Sequence, residues 1–553
     1  MISLLPVLWP ELLLAITAGA LFLLGISPQP AARRAAPVLA ASALAVVFFG
    51  NAISAAAPLW DSVNGATSPT LYVFHFAVYI KMLAAGIGVL LVFLAWPSSE
   101  DGFGNAALEY GYDAGEFFGL ILLSITGIFL VAGANDIILL FLGIELASLP
   151  TYIMVSISRP LPQAQEAGVK YFFLGAMSAA IMLFGFSYLY GSTGLTHLDA
   201  ITALFHSEGI AGMTAWQLLA VVMVIAGVAF KLAAVPLHAY AGDVYQGAAT
   251  PVTALLAFVP KTSGMVALIK ILFAASGGTW AAPDVLMKLM WAMAVLTMSF
   301  GNVLALLQSN IKRVLAYSSV AHSGYMLVGI TALLAARGHP DIQKAALAGV
   351  LFYLAAYGIM NIGPLGVLML LPSRRSAHSR RPASEPPPPT AGSAETYDDI
   401  AGQGYAHIGL GLAMAVCCFS LTGIPITVGF LGKYFLVQPA WAIAHATSRE
   451  WLSTRMGWLV VILMINAAVS AGYYLRIVAA MFLRPADPNA PSSSQPGLFS
   501  LPAAFAVALS VAGTLACGLY LPAANALSTR AQIATQIHDD TPPAIVVTQI
   551  SEK

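Results

Sequence analysis

Charge is what this chain has least of. Only 9% of its 553 residues are Asp, Glu, Lys or Arg, against the roughly 25% usual in a soluble domain. With 59% hydrophobic residues and a mean hydropathy of +0.83, a soluble globular protein is excluded. Neither sign of charge is in excess: 24 Lys+Arg stand against 24 Asp+Glu, so no net basic field attracts nucleic acid or an anionic surface. Cysteine is equally scarce. Cys417, Cys418 and Cys517 lie in apolar runs, without metal-ligand spacing or a plausible disulfide pairing, and read as small buried hydrophobes. Redox chemistry and iron–sulfur ligation are therefore not expected in this chain. The first residues also lack the basic stretch of a signal peptide and run straight into a span-length apolar segment, which is expected to be a retained first transmembrane helix.

What the chain has in abundance is apolar length. Windows of about 20 residues, bounded by Gly, Pro or charge, fall near 4–24, 36–56, 74–96, 116–133, 136–157, 169–190, 218–237, 252–276, 284–307, 313–336, 346–371, 405–438, 457–483 and 500–521. The fold class expected is all-α integral membrane, with about fourteen transmembrane helices. Lys and Arg concentrate in alternate loops, at Arg33, Arg34, Arg159, Lys170, Lys312, Arg313, Arg374, Arg375, Arg380, Arg381 and Arg484. The positive-inside rule puts those loops in the cytoplasm and both termini on the outer side. The stretch 372–404 is basic and then Pro-, Ser- and Ala-rich, so it is expected to be a disordered cytoplasmic loop. The tail beyond Leu521 is expected to lie along the outer surface.

Charges inside spans are the informative feature, since each costs roughly 2.5–3.5 kcal/mol at a helix centre on the insertion scale. Glu145, Lys231, Lys261 and Lys433 all lie in apolar runs. Glu145 and Lys261 are each about 14 Å into their helices, near the middle of the hydrocarbon layer. Lipid cannot solvate them there. They must face the protein interior, pair with one another or line hydrated cavities. Lys231 stands near Pro236, and Lys433 near Pro425 with Gly423 and Gly429; each proline is expected to break its helix and free backbone groups beside a lysine. His322 could relay a proton between Lys261 and Lys433, because its ordinary pKa near 6.5 allows either charge state. His238, directly beyond the first break, is a second relay candidate. Lys81 is near enough to a helix start to snorkel, with a functional role there as the equal alternative, while Asp136, Asp243, Lys312 and Arg313 are expected to cap helices or mark loops. Burial disfavours the charged form of lysine and glutamate, and pairing opposes that shift, so a buried lysine that changes partners can release a proton without any cofactor.

Five strings carry a family resemblance: NDIILLFLGIELASLPTY, EAGVKYFFLGAMSAAIMLFGFSYLYGSTG, GVAFKLAAVPLHAYAGDVYQGAATPVTALLAFVPKTSG, NIKRVLAYSSVAHSGYMLVG and SLTGIPITVGFLGKYFLV. In that order the chain resembles the antiporter-like membrane subunits of respiratory complex I, most closely the subunit N group of bacterial NADH–quinone oxidoreductases. The resemblance implies two inverted five-helix repeats, near 116–276 and 284–483, each with one broken helix. It implies a chain divided into an N-terminal three-helix part (1–110), a first repeat (111–280), a second repeat with the loop 372–404 (281–485), and a last helix with tail (486–553). It also implies a proton-translocating subunit in the bacterial inner membrane. Glu145 and Lys231 would be a modulating ion pair, Lys261 the central proton-carrying lysine and Lys433 the terminal one. FMN, iron–sulfur clusters and quinone would sit on other subunits, and the partners would be neighbouring antiporter-like membrane subunits and lipid. A subunit of a multisubunit cation/proton antiporter is the alternative, disfavoured because Lys261 stands where those chains often have histidine. Gln246 and Ala249 depart from the subunit N pattern, which usually has Glu and Pro there.

Overall fold

The computed structural model describes residues 5–29, 33–56, 75–96, 114–157, 162–209, 212–371, 394–485 and 500–535. Among these residues no strand forms, and two isolated bridges, Asp136 with His197 and Asn310 with Thr396, tie loops to helix starts. The chain opens with α1 (Leu5–Gly25), α2 (Ala36–Ala56) and α3 (His75–Leu94). Next come α4 (Ala114–Gly133), α5 (Ile137–Ile157), α6 (Pro162–Thr193), the short α7 (Leu198–Glu208), α8 (Ala215–Lys231), α9 (Ala241–Gly247) and α10 (Thr250–Ala275). The second half holds α11 (Asp284–Leu306), α12 (Ile311–Ala335), α13 (Pro340–Leu370), the one-turn α14 (Tyr397–Ile400) and α15 (Gln403–Ala406), α16 (Ile408–Thr422), α17 (Val428–Ala446) and α18 (Glu450–Phe482). It closes with α19 (Leu501–Leu519) and α20 (Leu521–Ile533).

Twelve of these helices are long and apolar enough to cross a membrane. The other two expected crossings are made of pieces. One is α8 followed by α9, and the other is the window 405–438, which resolves into α16 and α17 around a break at 423–427. Packing repeats between the halves: α4 packs on α5 as α11 packs on α12, α5 on α6 as α12 on α13, and α6 on α8 as α13 on α17. Because each repeat contains five crossings, an odd number, the second begins on the opposite side and is inverted. The same device holds the leading pair in both. Gly127 and Gly143 leave no room for a Cβ against the backbones of Ala147 and Val131, and Gly301 and Gly324 do likewise against Ala321 and Met298. Small residues let membrane helices approach closely enough for dispersion to hold them, where no hydrophobic force acts between helix and lipid.

The deepest helices are α10 and α12, both buried along essentially their whole length. They carry Lys261 and His322, so the buried charges occupy the centre of the bundle. Part of the stretch expected to be disordered is packed. Residues 372–393 lie outside the described residues, but Ala394 and Tyr397 are buried, Asp399 caps Thr396 in a reciprocal box, and Ile311 donates its N–H to the Glu395 carbonyl at 2.7 Å. The reading by composition missed this because those contacts come from α12, far away in sequence. The acidic stretch 97–113 and the residues beyond 535 lie outside the described residues.

Candidate proton path

The first buried pair lies where α8 ends. Lys231, 1% exposed, places Nζ 3.0 Å from a Glu145 carboxylate oxygen on α5 and donates to the Tyr152 hydroxyl at 3.0 Å. Tyr152 is two turns beyond Glu145 on α5, so one helix face presents both partners. The chain then leaves the helix through Ala233, which has a positive φ of 52°, and the Val235–Pro236 bond is cis. At the break the Phe230 carbonyl accepts from both the Ala233 N–H and the Tyr240 hydroxyl (each 2.9 Å), and the Val235 N–H donates to Thr297 (3.1 Å). Gly264 lies one turn past Lys261 on α10, and a Cβ there would stand 3.0 Å from that of Lys231, so glycine brings the Lys261 helix alongside the pair.

Lys261 is 2% exposed and is not paired with a carboxylate among the described residues. Its Nζ donates to the Ser319 backbone carbonyl and lies 5.2 Å from the centre of the Tyr357 ring. The Tyr357 hydroxyl donates to the Ser319 hydroxyl at 2.8 Å. One turn along α12, His322 contacts the Tyr353 hydroxyl through Nδ1 (2.7 Å) and the Tyr474 hydroxyl through Nε2 (3.1 Å). Its ring lies 5.0 Å from Tyr357 and 5.6 Å from Tyr325. Tyr325 in turn lies beneath Lys433, whose Nζ is 4.9 Å from that ring. Between Lys261 and Lys433 therefore pack Ser319, Tyr357, His322 and Tyr325, joined by the bonds of Lys261 and Tyr357 to Ser319 and, beyond Tyr357, by ring contacts.

Lys433 closes the path at the second break. Gly423 ends α16 in the left-handed region (φ 88°), and Nζ of Lys433 donates to the carbonyls of Leu421 (3.0 Å) and Thr422 (2.6 Å). Those carbonyls are among the last of α16, which have no partner inside the helix, and they form its negative dipole end. The break makes the site.

Four of the expected residues thus join one buried row with His322. His238 does not join it: it sits in the half-exposed turn after the first break, its ring 6.1 Å from Phe300. Lys81 does not snorkel, since it is 1% exposed and its Nζ lies 2.5 Å from Glu11 on α1. Lys312, near the start of α12, caps the end of α9 rather than its own helix. It is fully buried and donates to the carbonyls of Ala248 (2.5 Å) and Gln246 (3.3 Å), with Glu395 at 3.4 Å. Asp136 does cap α5, accepting from the N–H of Ile138 at 2.8 Å. Asp243 joins Lys170 (2.9 Å) and Arg313 (2.6 Å) at a small cleft of about 150 Å³ lined by Glu166 and Gln246. Gln246, one of the departures noted above, accepts from Arg313 at 3.1 Å. The sequence reading missed the tyrosines entirely. A signal was available, because Ser318, Ser319, His322 and Tyr325 recur at helical spacing on α12, as do Tyr353 and Tyr357 on α13.

Residues 134–449 match the family described as NADH:quinone oxidoreductase/Mrp antiporter, transmembrane. NADH-quinone oxidoreductase subunit N of Trichlorobacter lovleyi is 33% identical, covering 93% of this chain and 94% of its own. The protein of the same name from Myxococcus xanthus is 36% identical over 69% of this chain and 72% of its own. Among solved structures, a chain of respiratory complex I from Thermus thermophilus shares 27% identity with a TM-score of 0.67, covering 93% of this chain and 98% of that one. A chain of the Mrp complex from a Dietzia species shares the fold, with a TM-score of 0.74 at 18% identity over 97% and 98% of the two chains. A family match across more than half the chain, with relatives aligned over more than two thirds of it, places this chain in the NADH:quinone oxidoreductase/Mrp antiporter membrane family, among the subunit N proteins.

Proposed function

We propose that the chain is the proton-translocating subunit N of a bacterial NADH–quinone oxidoreductase, set in the inner membrane among other membrane subunits of that complex. The observation that carries this is the buried row of ionisable groups from the Glu145–Lys231 pair through Lys261 and His322 to Lys433. Its members come from both repeats and meet across the two fully buried helices. NADH oxidation and quinone reduction, with FMN and iron–sulfur clusters, belong to partner subunits. What this chain supplies is a set of groups that hold and pass protons.

Glu145 competes with the interior for the Lys231 charge. When the carboxylate withdraws, the nearby cation is no longer balanced and its field falls on Lys261 across the Gly264 contact. Lys261 and Lys433 are held by backbone carbonyls, which accept from an amine and an ammonium alike. Either lysine can therefore change protonation without losing its place, and the hydroxyls and His322 between them both donate and accept. The basic loops set the inner side, with both termini outside, and the divisions 1–110, 111–280, 281–485 and 486–553 follow the repeats.

The test is proton pumping and quinone reduction in sealed vesicles by the complex carrying Lys261→Met or Lys261→Arg. Methionine keeps the length and apolar stem without the charge, whereas arginine keeps the charge but does not release it. Both variants are expected to assemble, and both are expected to lose most of their coupled turnover. Full pumping by an assembled Lys261→Met complex would overturn the reading.

A further inference from the structure

A second cluster of buried ionisable groups lies outside the row. Glu11 on α1 and Lys81 on α3 form a pair 2.5 Å apart, with side chains 5% and 1% exposed. Lys270 on α10 is 8% exposed and donates to the Ala134 carbonyl at 2.6 Å, on a helix that packs against α3, the helix of Lys81. Glu11 and Lys81 are each the seventh residue of their helices, and five residues follow Lys270 in α10, so all three sit about 8–9 Å from helix ends at 1.5 Å per residue. As the eighth crossing, α10 ends on the side where the first and third begin. The three groups therefore share one level.

The cluster repeats the chemistry of the first repeat. There a lysine paired with a glutamate, Lys231 with Glu145, stands beside a carbonyl-held lysine, Lys261. Here Lys81 with Glu11 stands beside carbonyl-held Lys270. Lys270 follows Lys261 by nine residues, about two and a half turns, so the two lysines leave opposite faces of α10. Through Ala134, Lys270 is bonded to the turn from α4 to α5. Two residues past Ala134, the Asp136 carboxylate lies 3.4 Å from Nδ1 of His197, whose side chain is 40% exposed.

We propose that Glu11, Lys81 and Lys270 form a second proton-binding site on the back of the Lys261 helix, reached from the side where the chain begins, past Asp136 and His197. A proton taken from water onto the Lys270 amine puts two ammonium groups beside one carboxylate. That repulsion returns the proton to water or moves it on, leaving Lys270 as the neutral amine. This rests on the reading of Lys261 as a proton carrier. The alternative is a static anchor fastening the first three helices to α10, and arginine separates the two, because it preserves the charge and the bond to Ala134 but does not deprotonate.

The measurement is protons released per quinone reduced, by the assembled complex in sealed vesicles, for Lys270→Arg, Lys270→Met and the double variant Glu11→Gln/Lys81→Met, alongside Lys261→Met. The double variant removes both partners of the Glu11–Lys81 pair, so neither is left as an uncompensated buried charge, and it decides the matter even if a single substitution hinders assembly. All three cluster variants are expected to reduce quinone with fewer protons released per quinone. A wild-type ratio for Lys270→Arg or for the double variant, with Lys261→Met still deficient, overturns the second site and leaves the main path standing. A wild-type ratio for Lys261→Met as well overturns both.

Discussion

The two broken helices solve one problem in different ways. Each carries a buried lysine beside its interruption, but Lys231 precedes the first break and is balanced by an ion, Glu145, while Lys433 follows the second and is balanced by dipoles, the carbonyls of Leu421 and Thr422. An ion pair can be opened by moving one partner. Carbonyls fixed at a helix end cannot be withdrawn without rebuilding the backbone. The first break is thus suited to switching and the second to holding, although similar packing built both.

Glu145→Gln should break this contrast most severely. Removing one partner of a buried pair leaves an uncompensated cation and costs about 3–5 kcal/mol where the charge is retained. Coupled pumping is expected to collapse, with Glu145→Asp much milder; equally mild effects of both would mean the carboxylate does not balance Lys231.

Gly423→Ala comes next and tests the second break. A side chain in the left-handed region costs about 1–2 kcal/mol, and here the Cβ would also stand 3.0 Å from Cδ of Lys433. The ammonium would be pushed off its carbonyls, so reduced pumping with quinone reduction retained is expected in the assembled complex. Unchanged pumping would show that the carbonyl site does not set Lys433. The first break offers no such lever, since alanine already occupies its left-handed position at Ala233.

The smallest effect is expected of Tyr152→Phe. It removes a hydroxyl bond to Lys231 but leaves the carboxylate in place, a net loss of about 1 kcal/mol. Thermal stability of the purified complex should fall slightly, with pumping close to normal. A collapse like that of Glu145→Gln would assign the balancing role to the hydroxyl.

The row itself was only half legible in sequence. Glu145, Lys231, Lys261 and Lys433 stood out because a charge in an apolar run has no cheap explanation. Glu11 and Lys270 follow the same rule but lie near helix ends, where a charge can reach water, so nothing local distinguished them. The tyrosines carried no charge signal; their spacing on α12 and α13 was legible, but which hydroxyl meets which neighbouring helix was not.

The sequence by itself determined that the chain spans a membrane many times, where its helices run, and that Pro236 and Pro425 interrupt two of them. Those properties depend on hydropathy and backbone chemistry, which are local. Only the tertiary structure decided which buried charge meets which partner: Glu145 with Lys231, Glu11 with Lys81, and Lys261, Lys270 and Lys433 with carbonyls. Partners 70 or more residues apart, such as Glu11 and Lys81, are brought together by helix packing, and the carbonyls that hold Lys433 are freed only because the chain breaks and folds back beside them.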